Sequence, residues 1–290
     1  MTEFAPEIFF HIGGLPITNT LINTILVDGF LLLLAFFVSK NNSLNPGRFQ
    51  TVVEYVVGGL YNLTENIAGD RTKQIFPWFM TFFLFILVSN WSGLIPGINT
   101  FGIIEHHNGK TEVIPFIRAA TSDLNTTLAL AIVSLSATHV MSIRSLGLTE
   151  YLSRFIPFFP FLLSVLKGKP KIFIDKSEPI NFVMSFFNPL VLVFVGGLEL
   201  ISEFVKVISL SFRLFGNIFA GEVVLSTVSS IFAFLFPLPF YMLEVVVGIV
   251  QALVFSMLTM AFMIILTTPH HEESKAGSLE RHQARREVDN

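Results

Sequence analysis

The 290-residue chain has no cysteine and little charge, with Asp, Glu, Lys and Arg making up 13% of it. Without cysteine there are no disulfides, no thiolate-ligated zinc and no iron–sulfur clusters, so thiol and cluster redox chemistry is excluded. Charge this sparse forms no basic patch for nucleic acid. A Gly-x-x-x-x-Gly-Lys-Ser/Thr phosphate loop is also missing, so direct nucleotide binding is not expected and no cofactor motif stands in its place. The first eighteen residues contain neither lysine nor arginine. That argues against a cleavable leader with a basic start, and the first apolar segment reads as a retained span. Gly/Ser-rich linkers and internal repeats are absent, so nothing divides the chain into separate domains.

What is present is apolar: 52% hydrophobic residues and 33 phenylalanines. This composition belongs to membrane lipid rather than to water. About twenty apolar residues cross the hydrocarbon core, and candidate spans fall at 19–39, 75–96, 119–143, 181–234 and 240–267. The fold class expected is therefore all-α, a polytopic membrane protein of about five spans with interfacial helices. Its parts would be a tail at 1–18, a helical membrane domain at 19–269 and a second tail at 270–290. Within the domain, the apolar residues from Val52 to Ile67 recur at helical spacing, which predicts either an interfacial helix or an ordinary packing helix near 48–68. Residues 145–180, with an aromatic-proline cluster followed by a basic run, read as an interfacial excursion.

Sixteen lysines and arginines lie outside the last two candidate spans, and alternate crossing from an outer N-terminus puts fourteen of them on the cytoplasmic side. The positive-inside rule thus orients the N-terminus out and the C-terminus in. Residues 181–234 are too long for a simple span, since at about 1.5 Å per residue they extend near 80 Å against a core of about 30 Å. They must tilt, lie partly flat or break, with Asn188-Pro189 and Gly196-Gly197 as the natural bends. With 240–267 they form a long tilted hairpin.

Arg213 and Glu222 stand inside that hairpin. An arginine at the bilayer centre costs about 2.5 to 3.5 kcal/mol on insertion scales, so it is retained only for a compensating reason. A guanidinium does not deprotonate in proteins, so Arg213 acts as a fixed positive charge and not as a proton carrier. Glu199, Glu203, Lys206, Arg213 and Asn217 recur on roughly one helical face. In an antiparallel hairpin turning near Pro237, Arg213 falls level with Gln251, and Glu222 with Glu244. The Gln251 amide oxygen can then accept from the guanidinium, and two carboxyls at one depth share a proton readily. Two acidic groups on either side of an arginine suggest two half-pathways blocked in the middle. The competing reading is a structural ion pair of Arg213 with Glu222 or Glu244, and a local pair of Glu203 with Lys206.

Arg213-Leu-Phe-Gly-Asn, with Ala220-Gly221-Glu222 after it and Gln251 in the next helix, resembles the signature of subunit a of F-type ATP synthases. Asn90-Trp-Ser-Gly-Leu-Ile-Pro96 and Thr121-Ser-Asp-Leu-Asn-Thr-Thr127 extend the resemblance, which covers roughly residues 20 to 268. It implies a non-catalytic channel subunit of the complex that makes ATP, with its last two helices wrapped along a rotating c-ring. It implies that Arg213 faces the ring carboxylate. Asp123, Asn125, Glu222 and Glu244 would line the outer half-channel, with Glu199 toward the inner one. The implied partners are the c-ring, b-type peripheral stalk subunits, membrane lipid and the rest of the synthase; the missing basic leader favours a bacterial plasma membrane over an organellar inner membrane.

Two departures stand out: Glu244 occupies a position where some members carry histidine, and Ala120 stands where a proline commonly precedes the Asp-x-Asn motif. The rival function is a secondary transporter, which calls for two related halves that this sequence lacks. A structural scaffold is a third possibility, and it predicts that neutralising Arg213 and Glu222 leaves ion flux untouched. Glu105-His106-His107 and His270-His271-Glu272-Glu273 have metal-binding residue types, but such loop clusters usually hold no metal, and none is expected. His139 reads as a proton carrier or as a hydrogen-bonded structural histidine, and Asp28 as a paired or water-facing carboxylate.

Overall fold

The computed structural model describes residues 8–12, 14–40, 47–95, 97, 102–107, 110–155, 181–231 and 236–268. Helix dominates them. In chain order the helices are α1 (Asn19–Lys40), α2 (Arg48–Ala68), α3 (Thr72–Ser92), α4 (Leu124–Leu146), α5 (Leu148–Phe155), α6 (Asn181–Ile231) and α7 (Pro237–Thr267). Five helical stretches are long and apolar enough to cross a membrane: Asn19–Lys40, Arg48–Ser92, Leu124–Leu146, Phe194–Ile231 and Pro237–Thr267. This is the all-α polytopic architecture that the apolar runs imply.

Two antiparallel hairpins interrupt the helical pattern. Strands β1 (Ile8–Ile12) and β2 (Leu15–Thr18) pair ahead of α1, and β3 (Gly102–His107) and β4 (Lys110–Pro115) pair between α3 and α4. The first closes through Gly14 at φ 88°, a left-handed conformation that glycine adopts without a steric penalty. The sequence reading passed over both, because strands of four to six residues carry little periodic signal. Gly147, at φ 84°, separates α4 from α5, and its N–H caps the Ile143 carbonyl at 2.9 Å.

α6 runs unbroken through Asn188-Pro189 and Gly196-Gly197. Its 51 residues make a rod of about 75 Å, so its excess length is absorbed by tilt or by extension past the bilayer and not by a break. Of the 145–180 segment, α5 is described and residues 156–180 lie outside the described residues, as do the tail from 269 onward and residues 1–7.

The chain forms two compact units, Met1–Ser134 with Val207–Ala261, and Leu135–Lys206 with Phe262–Asn290. In the first, Ile75, Phe79 and Ile86 of α3, Leu214 of α6 and Ala252 and Met260 of α7 are buried almost completely. The Phe82 and Phe255 rings meet at 5.7 Å between centroids. α2 packs on α3 through the edge contact of Tyr61 with Phe76 at 5.1 Å, while Phe49, Val52, Tyr55 and Val56 stay exposed. In the second unit, Ser142 Oγ donates to the Leu266 carbonyl at 2.7 Å, and the Lys206 ammonium lies 5.1 Å from the Phe262 ring centroid. Outward faces carry large apolar side chains, such as Leu32, Leu33 and Phe36 of α1, as lipid contact requires.

Candidate ion-translocation site

Within the first unit, α6 buries Leu210, Leu214, Ile218, Gly221 and Leu225 on one face. Arg213 and Asn217 lie off that face and are exposed, in company with Ser209, Phe212, Ala220 and Val224. Among the described residues Arg213 has no hydrogen-bond or ion-pair partner. The expected bond to Gln251 does not form. Gln251 is half-buried on α7, whereas the guanidinium turns outward. No in-chain ion pair of Arg213 with Glu222 or Glu244 forms either.

Glu222 is held elsewhere. Arg118 Nε lies 2.9 Å from its Oε1 and 3.3 Å from its Oε2, and Arg118 Nη2 is 3.1 Å from Oε2. This is a two-pronged, charge-assisted contact, and the Arg118 side chain is only 8% exposed. Glu244 is buried on α7, and a Cβ placed on Gly221 would collide with its carboxyl group. The α6–α7 register therefore sets Glu244 beside the residue next to Glu222, which is the levelling inferred from an antiparallel hairpin.

A belt of buried polar groups surrounds this arrangement. Asp123 is the N-cap of α4, its Oδ1 accepting from the Asn125 N–H at 2.9 Å and its Oδ2 from Thr20 Oγ1 at 3.2 Å. The Ala120–Ser122 turn ahead of it is a short 3-10 helix, so this position needs no proline to begin the helix. The Asn125 side chain is exposed. Asn90 of α3 donates to the Gly248 carbonyl of α7 at 3.1 Å and accepts from Thr121 Oγ1 at 2.5 Å. Thr127 and Ser211 pair across α4 and α6 at 3.2 Å. These buried hydroxyls and amides hydrogen-bond one element to another where lipid offers no partner.

The second unit holds a separate polar cluster. Lys206 Nζ contacts Glu203 Oε1 at 2.7 Å, the local pairing that the spacing allowed. Among the described residues the other oxygen, Glu203 Oε2, is buried without a hydrogen bond, and it lies 3.8 Å from His139 Nε2. His139 Nδ1 lies 3.1 Å from the Tyr151 hydroxyl. Glu199 is half-buried. Glu203 is thus buried while Arg213 and Asn217 are exposed, so the polar stripe along α6 is not uniformly on one surface.

Arg118 is the residue that sequence reasoning missed. The signal was an exception to the charge rule: an arginine next to a span, on the side where basic residues are few, calls for a fixed partner. The side chains of residues 103–114 and the His270–Glu273 cluster lie outside the described residues.

The family described as ATP synthase A chain matches residues 21–264. An ATP synthase subunit a from Moorella thermoacetica is 31% identical over 91% of this chain and 97% of its own length. One from Legionella pneumophila is 29% identical over 95% and 98%. The sodium-ion-specific subunit a of Propionigenium modestum is 32% identical over 90% of this chain and 78% of its own. A match over most of the chain, with five membrane-length helices among the described residues, makes it a multi-pass membrane protein of the ATP synthase A chain family.

Proposed function

We propose that the chain is the ion-translocating stator subunit of an F-type ATP synthase, carrying ions to and from a c-ring through two half-channels and so coupling flow to rotation. The observation that carries this reading is Arg213, a permanent cation on an outward, largely apolar and small-residue surface, without a partner among the described residues. Small neighbours, Ser209, Gly216 and Ala220, let another helix approach closely. A ring carboxylate arriving protonated meets that fixed charge and releases its proton, because a nearby cation favours the ionised acid. The same charge repels a cation attempting to cross directly.

In this reading Asp123, Asn125, Glu222 and Glu244 line the outer route, Glu199 lies on the inner one, and Asn217 and Gln251 flank Arg213. Nucleotide chemistry resides in other subunits of the complex, and b-type stalk subunits hold this chain against the rotor. The N-terminus faces out and the C-terminus the cytoplasm of a bacterial plasma membrane. Buried carboxylates and hydroxyls serve either H⁺ or Na⁺, and ion choice falls to the ring.

The test is Arg213→Ala and Arg213→Lys in the assembled synthase, with ATP synthesis driven by an imposed ion gradient. Both variants should lose coupled synthesis, Ala completely. Wild-type coupling in the alanine variant refutes the assignment.

A further inference from the structure

We propose that Arg118 is a positioning residue of the outer route: it holds the Glu222 carboxylate by both oxygens and leaves Glu244 as the carboxyl of that pair that exchanges protons. The inference rests on the ion-translocation reading above.

Arg118 is fixed from both sides. Its own carbonyl accepts from Asn23 Nδ2 of α1 at 2.9 Å, and Ala119 packs so closely on Gly93 that a Cβ there would stand 2.8 Å from the Ala119 Cβ. The guanidinium, buried with the residue 7% exposed, reaches Glu222 through three N···O contacts of 2.9 to 3.3 Å. Glu244 is placed differently from Glu222, which is half-buried. It is 8% exposed, its carboxyl lies against Gly221, and among the described residues it has no hydrogen-bond or ion-pair partner.

The two carboxyls therefore respond differently to a proton. Protonating Glu222 neutralises half of an ion pair and removes that countercharge from the buried Arg118 cation, which is the costly way to break such a pair. Protonating Glu244 strands nothing. The proton adds to a Glu244 oxygen from the outer water and leaves again toward the ring carboxylate, which returns Glu244 to its starting state. The Arg118–Glu222 contact stays in place and shapes the field that Glu244 experiences.

The experiment measures gradient-driven ATP synthesis by the complete synthase in proteoliposomes, each complex first checked for subunit composition. Arg118→Gln should slow synthesis by about tenfold or more, since it leaves Glu222 without its countercharge. Arg118→Lys should fall between the parent and Arg118→Gln, since it keeps the charge but loses the two-pronged contact. The double variant Arg118→Gln with Glu222→Gln should run at least about threefold faster than Arg118→Gln alone, the non-additivity expected of a coupled pair. Glu244→Gln should be slower than that double variant.

A double variant no faster than Arg118→Gln overturns the proposal, as does a Glu244→Gln rate equal to or above that of the double variant. Should a neutral variant fail to assemble, Arg118→Lys against Glu244→Gln decides: a lysine rate at or below the glutamine rate overturns it, and a higher one supports it. Arg213→Ala in the same preparation separates the two layers. Retained coupling there removes the underlying function, whereas lost coupling with an adverse Arg118 result removes only this assignment.

Discussion

Replacing Gly221 with alanine tests the close approach of α7 to α6. A methyl group at that position would fall inside the van der Waals radii of the Glu244 carboxyl atoms. Ordinary contact requires about 3.5 Å, so the carboxyl must retreat by more than about 1 Å. The obstacle is the far end of a flexible side chain and not backbone, so the helices need not separate. Overpacking of this kind costs about 1–3 kcal/mol when it cannot be relieved, and rotation of Glu244 places the cost at the lower end. The functional penalty is larger, because a displacement of about 1 Å at a reacting group costs up to about a hundredfold in rate. Gly221→Ala should therefore assemble with the synthase yet slow gradient-driven ATP synthesis by about ten- to a hundredfold. Gly29→Ala is the control: it lies inside α1 with nothing within 4 Å of an added Cβ, and removing a helix-interior glycine stabilises by about 0.5–1 kcal/mol. Equal rates for Gly221→Ala and Gly29→Ala would refute the close packing of Glu244 on Gly221.

Three further outcomes follow from the geometry. Lys206→Met leaves the Glu203 carboxylate buried without its cation and should destabilise the protein by about 3 kcal/mol, read as a lower thermal midpoint in detergent. The double change with Glu203→Met should recover most of that loss, and a single variant as stable as the double would contradict the pairing. Burial, with the negative charge of Glu203 as the lesser cause, raises the Tyr151 phenol above its ordinary value of 10.0. The folded state then keeps the proton longer than the unfolded one, so stability from this group is complete below about pH 10 and falls as pH rises through the folded value. The phenolate absorbance missing from Tyr151→Phe should appear at higher pH than that of free tyrosine, and coincidence of the two would remove the argument. Arg213→Gln should leave subunit composition and thermal stability intact while abolishing coupling, and a complex that falls apart would mean that the guanidinium makes a permanent bond to a neighbour.

The spans were legible because lipid imposes a length and an all-round apolar surface, and both are written in consecutive residues. The candidate spans at 75–96, 119–143 and 240–267 lie within a few residues of α3, α4 and α7. The pair of Glu203 with Lys206 was legible for the same local reason, since three residues along a helix bring side chains together. The levelling of Glu222 with Glu244 needed only the assumption of an antiparallel hairpin. What escaped depends on packing between distant parts of the chain. Arg118 and Glu222 are 104 positions apart, and no local pattern names the carboxylate an arginine will reach. The contact of Gly221 with Glu244 is likewise invisible in sequence, where the glycine reads as one more helix residue.

Two arginines within one unit receive opposite treatment, and the contrast bears on how the site works. Arg118 is buried and meets its countercharge in its own chain, so its role is static. Arg213 lies on the outward surface of α6 and meets none among the described residues. An arginine held at membrane depth costs about 2.5–3.5 kcal/mol on insertion scales, and a fixed internal carboxylate, as Arg118 shows, is available to offset such a cost. A side chain without this compensation among the described residues is open to a countercharge brought by a neighbouring subunit. If that charge were permanent, the pair would be as immobile as Arg118 with Glu222, and no net transfer could pass it. A countercharge that arrives, gives up its proton and departs satisfies both requirements. The exposure of Arg213 is therefore a condition of its proposed role, and the locked partner of Glu222 shows what the chain builds where movement is not needed.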